Sequence, residues 1–266
     1  MTNKTWLITG ATSGFGRTLA LTAAERGDTV IATGRRTDAL TDLAAQSPRI
    51  TTVTSDITTP DGITAITDAV TAAGGIDILV NNAGYGLFGA VEQVDDTAAR
   101  KVFETHVFGP LALLRATLPT LRERHGRVIT LSSELAVYAW TGSGLYSASK
   151  AAADLITEAL ALELAPTGVK AIAIQPGTYA TEFGPTSVSL AVPPNEVYAP
   201  TVGAFFQAFG TKPAEEFGDP REVVDAILHA ADTDNPPARI AVGDEAVTTI
   251  RQALTARLAE VTAPAA

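Results

Sequence analysis

At 266 residues with a formal net charge of −10, 46% hydrophobic residues and no cysteine, the chain excludes several classes at once. Its acidity argues against nucleic-acid binding, which needs Lys and Arg to neutralise phosphates, and the lack of cysteine removes disulfides, thiolate metal ligands and a cysteine nucleophile. No apolar run reaches the ~18 residues of a membrane span, and the first residues show no leader pattern, so a cytoplasmic location without a membrane partner is expected.

The length suits one large α/β domain over 1–266 better than two small ones. Strands are predicted at Thr5–Thr9, Asp28–Thr33, Arg49–Val53, Ile76–Asn82, Gly126–Ser133, Val169–Pro176 and Ala238–Val242. Several are continuous apolar runs, as parallel strands buried on both faces require. Helical stretches fall between them at Arg17–Arg26, Asp38–Ala45, Ile63–Ala73, Thr97–Leu121 and Ala148–Leu164. The alternation predicts right-handed crossovers and a doubly wound α/β fold with a parallel sheet of about seven strands. One long segment, 179–219, breaks it with five prolines and the apolar patch GAFFQAFG, and is expected to be a substrate lid.

Four signals carry chemistry. The run Thr9-Gly10-Ala11-Thr12-Ser13-Gly14-Phe15-Gly16 follows the first strand and opens the first helix. Glycines at such a turn let the backbone approach a pyrophosphate at a helix N-terminus. At the end of the second strand, Gly34 stands where a site for NAD would place a carboxylate, and Arg35 follows it. That pairing suits a 2′-phosphate, with Ser13 and Arg36 as weaker phosphate contacts; a solvated basic pair is the alternative. Tyr146 and Lys150 lie one helical turn apart, where an ammonium is expected to lower the phenol's pKa and make it a usable acid or base. Ser133, at the end of the fifth strand, offers a hydroxyl at the sheet edge where ligands bind.

Taken in order, TGATSGFG, NNAG (Asn81–Gly84), Ser133, Tyr146-Ser147-Ala148-Ser149-Lys150 and Pro176-Gly177 resemble the short-chain dehydrogenase/reductase family in its compact, single-domain Rossmann form. The resemblance is close over Lys4 to Thr181. It implies an NADP(H)-dependent oxidoreductase in which Tyr146 exchanges the proton, Lys150 lowers its pKa and holds the nicotinamide ribose, and Ser133 orients the substrate oxygen. It places Gly10, Thr12, Ser13, Gly14, Phe15 and Gly16 on the pyrophosphate, and Asp56 and Ile57 at the adenine. Asn82, Ala83 and Gly84 would line the cleft, and Pro176, Gly177 and Thr181 would bracket the nicotinamide. It also implies a homo-oligomer, dimer or tetramer, formed through the fourth and fifth helices.

His106 stands where many members of that family carry an asparagine thought to hold a relay water. The imidazole can serve the same end, and near neutral pH can shuttle the proton itself; a tolerated polar filler is the alternative. Leu87, Phe88, Val137, Trp140, Leu145, Tyr179 and Phe183 are expected to face the substrate. They favour a hydrophobic ketone, aldehyde or alcohol over a charged metabolite. Two rivals remain: a non-catalytic NADP(H) sensor on the same fold, and the longer epimerase/dehydratase branch, whose glycine spacing differs.

Overall fold

The computed structural model describes residues 3–179, 188–211 and 213–263. Seven strands form one parallel sheet: β1 (Thr5–Ile8), β2 (Thr29–Gly34), β3 (Ile50–Thr54), β4 (Ile78–Asn81), β6 (Arg127–Leu131), β7 (Lys170–Pro176) and β9 (Arg239–Val242). Their order is β3-β2-β1-β4-β6-β7-β9. The remaining two, β5 (Gly86–Phe88) and β8 (Val188–Leu190), pair with each other in a parallel ribbon. All seven predicted strands are present, in a doubly wound α/β sheet.

Strand alternation explains the two-sided core. Trp6 and Ile8 of β1 face one layer, where Leu19 and Ala23 of α1 (Gly14–Glu25) meet residues of a helix near the C-terminus. Leu7, between them, faces the other layer with Ile66, Leu113 and Leu164. These come from α3 (Pro60–Ala72), α5 (Gly109–Glu123) and α6 (Gly144–Leu164), while α2 (Thr37–Ala44) packs on β3. The sheet order reverses between β1 and β4, and there the strand C-termini open a crevice for a ligand.

Two differences from the sequence reading matter for function. The predicted helix Thr97–Leu121 is divided into α4 (Asp96–Phe103), a π-helical turn Glu104–Phe108 and α5. Pro110 is the reason: it has no N–H to offer the carbonyl of His106, and its ring crowds that carbonyl. The ladder widens, and the Gly109 amide reaches the Glu104 carbonyl instead. The resulting π-turn carries His106.

The segment expected to be a lid contains, among its described residues, β8, a π-turn Ala199–Gly203 and helix α7 (Ala204–Gly210). Its two ends meet at a bridge between Tyr179 and Gly218. The sequence reading assigns no helix after Leu164, yet α8 (Pro220–Asp232) and α9 (Asp244–Thr262) follow. Helix α8 supplies Val223, Val224 and Ile227 to the first core layer, whereas α9 buries only Ala246. No helix of the described residues is long and apolar enough to cross a membrane.

Candidate active site

A cleft of about 790 Å³ runs along the C-terminal edge of the sheet. At one end lies the glycine-rich turn between β1 and α1. Gly10 holds φ +66, and a β-carbon there would stand 2.7 Å from Cα of Ala83. One on Gly16 would stand 2.6 Å from the Gly10 carbonyl oxygen. The turn therefore needs glycine for both backbone shape and close approach. Asn82 pins it: its side-chain amide donates to the carbonyls of Thr9 (2.8 Å) and Gly10 (3.1 Å). Ser13 is the N-cap of α1, but its hydroxyl makes no capping bond.

The residues present fit a dinucleotide. Thr12, Ser13, Gly14 and Phe15 line the cleft at the positive end of α1, with Arg35 and Arg36 beside them. The buried hydroxyls of Thr33 and Thr178 also line it, and among the described residues they have no hydrogen-bond partner. Asp56, Ile57, Asn82, Ala83, Gly84, Pro176 and Gly177 complete the lining. Thr181 and Phe183 lie outside the described residues. Of the two arginines, Arg36 is the anchored one, donating to the Thr12 carbonyl at 3.0 Å. Arg35 has 68% of its side chain exposed, and its guanidinium stands 3.9 Å from Asp56 Oδ2.

Ser133, Tyr146 and Lys150 converge midway along the cleft, all buried. Ser133 caps a short 3-10 turn, Glu134–Ala136, by accepting from the Leu135 amide at 3.1 Å, and it hydrogen-bonds Tyr146. Lys150 Nζ donates to the Leu131 carbonyl at 2.7 Å and lies 5.9 Å from the centre of the Tyr146 ring. His106 is buried against the same group. Its Nε2 accepts from the Tyr85 amide at 3.2 Å, and Nδ1 lies 2.8 Å from Ser149 Oγ, which donates to the Tyr146 carbonyl at 2.7 Å. Nε2 therefore carries no proton, and the ring donates from Nδ1.

Electrostatics here depart from the sequence expectation. Burial pushes the Tyr146 phenol up to about 12, against the Ser133 hydrogen bond and with the nearby Glu134 carboxylate adding to the rise. The expected lowering by Lys150 does not prevail, because desolvation dominates and the ammonium is turned to the Leu131 carbonyl. Burial also brings Lys150 down to about 8. Burial, then the Lys150 ammonium, hold His106 well below its ordinary 6.5. Instead of a histidine that titrates near neutrality, the structure has a neutral one.

The family model for short chain dehydrogenases matches residues 4–189. The chain belongs to the short-chain dehydrogenase/reductase family. It is 34% identical, over 89% of its length and 87% of the relative's, to a 3-ketodihydrosphingosine reductase of Bacteroides thetaiotaomicron. A short-chain dehydrogenase from Streptomyces avermitilis superposes with a TM-score of 0.90 at 41% identity, covering 98% of this chain and 95% of the other. One from Burkholderia cenocepacia, solved in complex with NADP, gives 0.76 at 31% identity over 98% of each chain.

This short-chain dehydrogenase is an oxidoreductase, and the far end of its cleft is aromatic. Phe88 and Trp140 line it as expected; Tyr179 lines the cleft too, but its ring packs edge-on against Phe15 at 5.8 Å, beside the glycine-rich turn, and Leu87, Val137 and Leu145 do not line it. Strand alternation on β5 turns Leu87 away from the face that Phe88 presents. Phe205, Phe206 and Phe209 of α7, with Phe217, form most of the wall, Trp140 lying 5.8 Å from Phe205 and 5.7 Å from Phe209 between ring centres. The patch GAFFQAFG signalled the three phenylalanines of α7 in the sequence, but not where they point, and Phe217 lies outside it. Glu134 also lines the cleft, and no motif marks it.

Proposed function

We propose that this protein is an NADP(H)-dependent carbonyl reductase for hydrophobic ketones or aldehydes, with Tyr146 as proton donor. One observation carries the reading: Ser133, Tyr146 and Lys150 line one cleft, in which Tyr146 packs on Phe88, itself against Phe206 of the aromatic wall, while Lys150 Nζ lies beside Gly84 of the lining assigned to the dinucleotide. A nicotinamide bound along that lining supplies the hydride. A carbonyl at the aromatic wall would lie beside the Tyr146 phenol and the Ser133 hydroxyl, donors that stabilise negative charge developing on its oxygen. A phenol held at about 12 is protonated at neutral pH, which suits donation during reduction. The aromatic wall favours apolar substrates, and a relative named as a 3-keto reductase supports the direction. The test is an NADPH-oxidation screen against ketones and aldehydes; cofactor binding without turnover of any of them would favour the sensor reading. Exposed Leu155 and Leu162 on α6 support the homo-oligomer.

NADP preference is assigned to Arg35 and Arg36. Gly34→Asp, the exchange the sequence suggests for switching the cofactor, is unsuitable, because a β-carbon there would stand 2.6 Å from Thr12 Cγ2 and disturb the phosphate turn. Arg35→Ala combined with Arg36→Ala leaves that backbone alone. Each charge-assisted hydrogen bond to a phosphate is worth about 1.5–3 kcal/mol. With both guanidinium groups removed, NADPH affinity is therefore expected to fall about 10²- to 10⁴-fold while NADH affinity changes little. Fluorescence titration measures both; equal wild-type affinity for the two cofactors would remove the assignment.

His106 is read as a positioning residue. Both of its nitrogens are engaged, so it braces the Tyr85 loop against the helix that carries Tyr146 and Lys150. His106→Ala should lower turnover about tenfold by removing both contacts. His106→Asn, which keeps a polar side chain, should retain the shape of the wild-type profile for ketone reduction from pH 5 to 9. An ionisation that disappears in His106→Asn would restore the relay role.

A further inference from the structure

Glu134 is a buried ionisable group of the cleft to which the proposed reduction gives no role. It follows Ser133 directly and is only 1% exposed, although it is a carboxylate. A buried charge persists only where hydrogen bonds replace its water. Thr249 Oγ1, on α9, donates to Glu134 Oε2 at 2.6 Å. The hydroxyl has one proton to give, and its other acceptors, the carbonyls of Glu245 (2.9 Å) and Ala246 (3.3 Å), are more distant. The Tyr138 hydroxyl lies within hydrogen-bonding reach of both Thr249 and the same carboxylate, and Trp140 Nε1 donates to Tyr138 Oη at 3.3 Å. A continuous chain therefore runs from the Trp140 indole through Tyr138 to Glu134, and from Glu134 to α9. Thr249 and Tyr138 do not line the cleft, whereas Trp140 and Glu134 do.

We propose that Glu134 is a positioning residue, whose carboxylate fixes the Trp140 wall of the substrate chamber and ties it, with helix α9, to the turn that presents Ser133. A 3-10 turn of three residues has little rigidity of its own. The Ser133 hydroxyl keeps its aim because the next residue is held by α9, and the indole keeps its place because Tyr138 is held by that carboxylate together with Thr249 of α9. The wall and the catalytic hydroxyl are thereby coupled, so this role rests on reading Ser133 and Tyr146 as the reacting pair.

Tyr138→Phe and Thr249→Val each remove one donor to the carboxylate from outside the cleft, which tests the role without altering a lining residue. The first readout needs no turnover. The chain has two tryptophans, and Trp6 is fully buried in the core, so acrylamide quenching of the emission reports Trp140. The quenching constant should rise about twofold or more in both variants, the loosened indole being open to the quencher. The second is steady-state reduction of a series of aryl ketones of increasing size. Tyr138→Phe should raise KM about tenfold with kcat nearly unchanged, whereas Thr249→Val should also lower kcat several-fold, because α9 then no longer steadies the Ser133 turn. Glu134→Gln keeps an acceptor oxygen and should fall between wild type and these variants, while NADPH affinity stays constant throughout. Unchanged quenching in both variants overturns the proposal, whether or not a ketone is reduced. Loss of turnover in Tyr146→Phe with unaltered kinetics in Thr249→Val overturns it while leaving the catalytic reading in place.

Discussion

Tyr146→Phe is expected to lower ketone reduction by about 10²- to 10⁴-fold, the usual contribution of a positioned general acid. The ring itself should stay where it is. It packs against Phe88 (5.5 Å between ring centres) and His106 (5.7 Å), and phenylalanine preserves both contacts. The hydroxyl lost is the one proposed as proton donor, and its removal leaves Ser133 as the remaining hydroxyl proposed for the substrate oxygen. Stability should change little, and NADPH affinity should stay within about twofold, since no dinucleotide phosphate contact is assigned to the phenol. Stopped-flow hydride transfer and cofactor titration measure the two quantities separately. Turnover in the Tyr146 variant within tenfold of wild type would sink the mechanism.

Lys150→Ala should cost about 10²- to 10³-fold in turnover, as expected on losing a preorganised charge next to a developing anion. Unlike the tyrosine exchange, it should also weaken NADPH binding, because the same ammonium is assigned to the nicotinamide ribose. The pH dependence follows from its buried position. A lysine at about 8 is mostly protonated below that pH and loses its charge above it. Reduction by the wild-type enzyme should therefore be level from about pH 6 to 7.5 and fall as pH rises through about 8. The phenol at about 12 contributes no ionisation in that window, and the buried His106, held well below 6.5, none near neutrality. A rate that climbs between pH 7 and 9 would mean that a deprotonated group, and not the Lys150 ammonium, controls the step.

Much of the cofactor half was legible from the chain itself. Several of the seven strands are short, continuous apolar runs, and a strand of that kind needs burial on both faces, so the doubly wound sheet follows from local pattern. The glycine turn reads equally well, because Gly10 and Gly16 are demanded by backbone conformation and close approach, constraints that narrow the choice of residue to one. The tyrosine–lysine spacing is a helical period, and helix α6 brings the two side chains to the same face. By contrast, Arg36 and not Arg35 proved to be the anchored guanidinium, since which of two neighbouring arginines folds back onto Thr12 depends on the turn after β2.

Tertiary structure alone decided the charge state of the site. Sequence spacing places an ammonium near a phenol and predicts a lowered pKa, but desolvation depends on how many neighbours exclude water, and those arrive from remote segments. Burial therefore keeps Tyr146 protonated, draws Lys150 down and keeps His106 neutral, in each case against or beyond what the local pattern implies. The same holds for the substrate wall and for Glu134. Phe205, Phe206 and Phe209 read as an apolar patch in an irregular segment until the meeting of Tyr179 and Gly218 folds that segment back beside the cleft. Glu134 carries no signal in the sequence, and Thr249, 115 residues away, supplies a hydrogen bond that supports its burial. What the chain determined by itself are the features set by backbone geometry and by the period of its apolar residues, which act over one or two turns. Ionisation and substrate shape waited for the fold, because both are set by contacts between residues far apart in the chain.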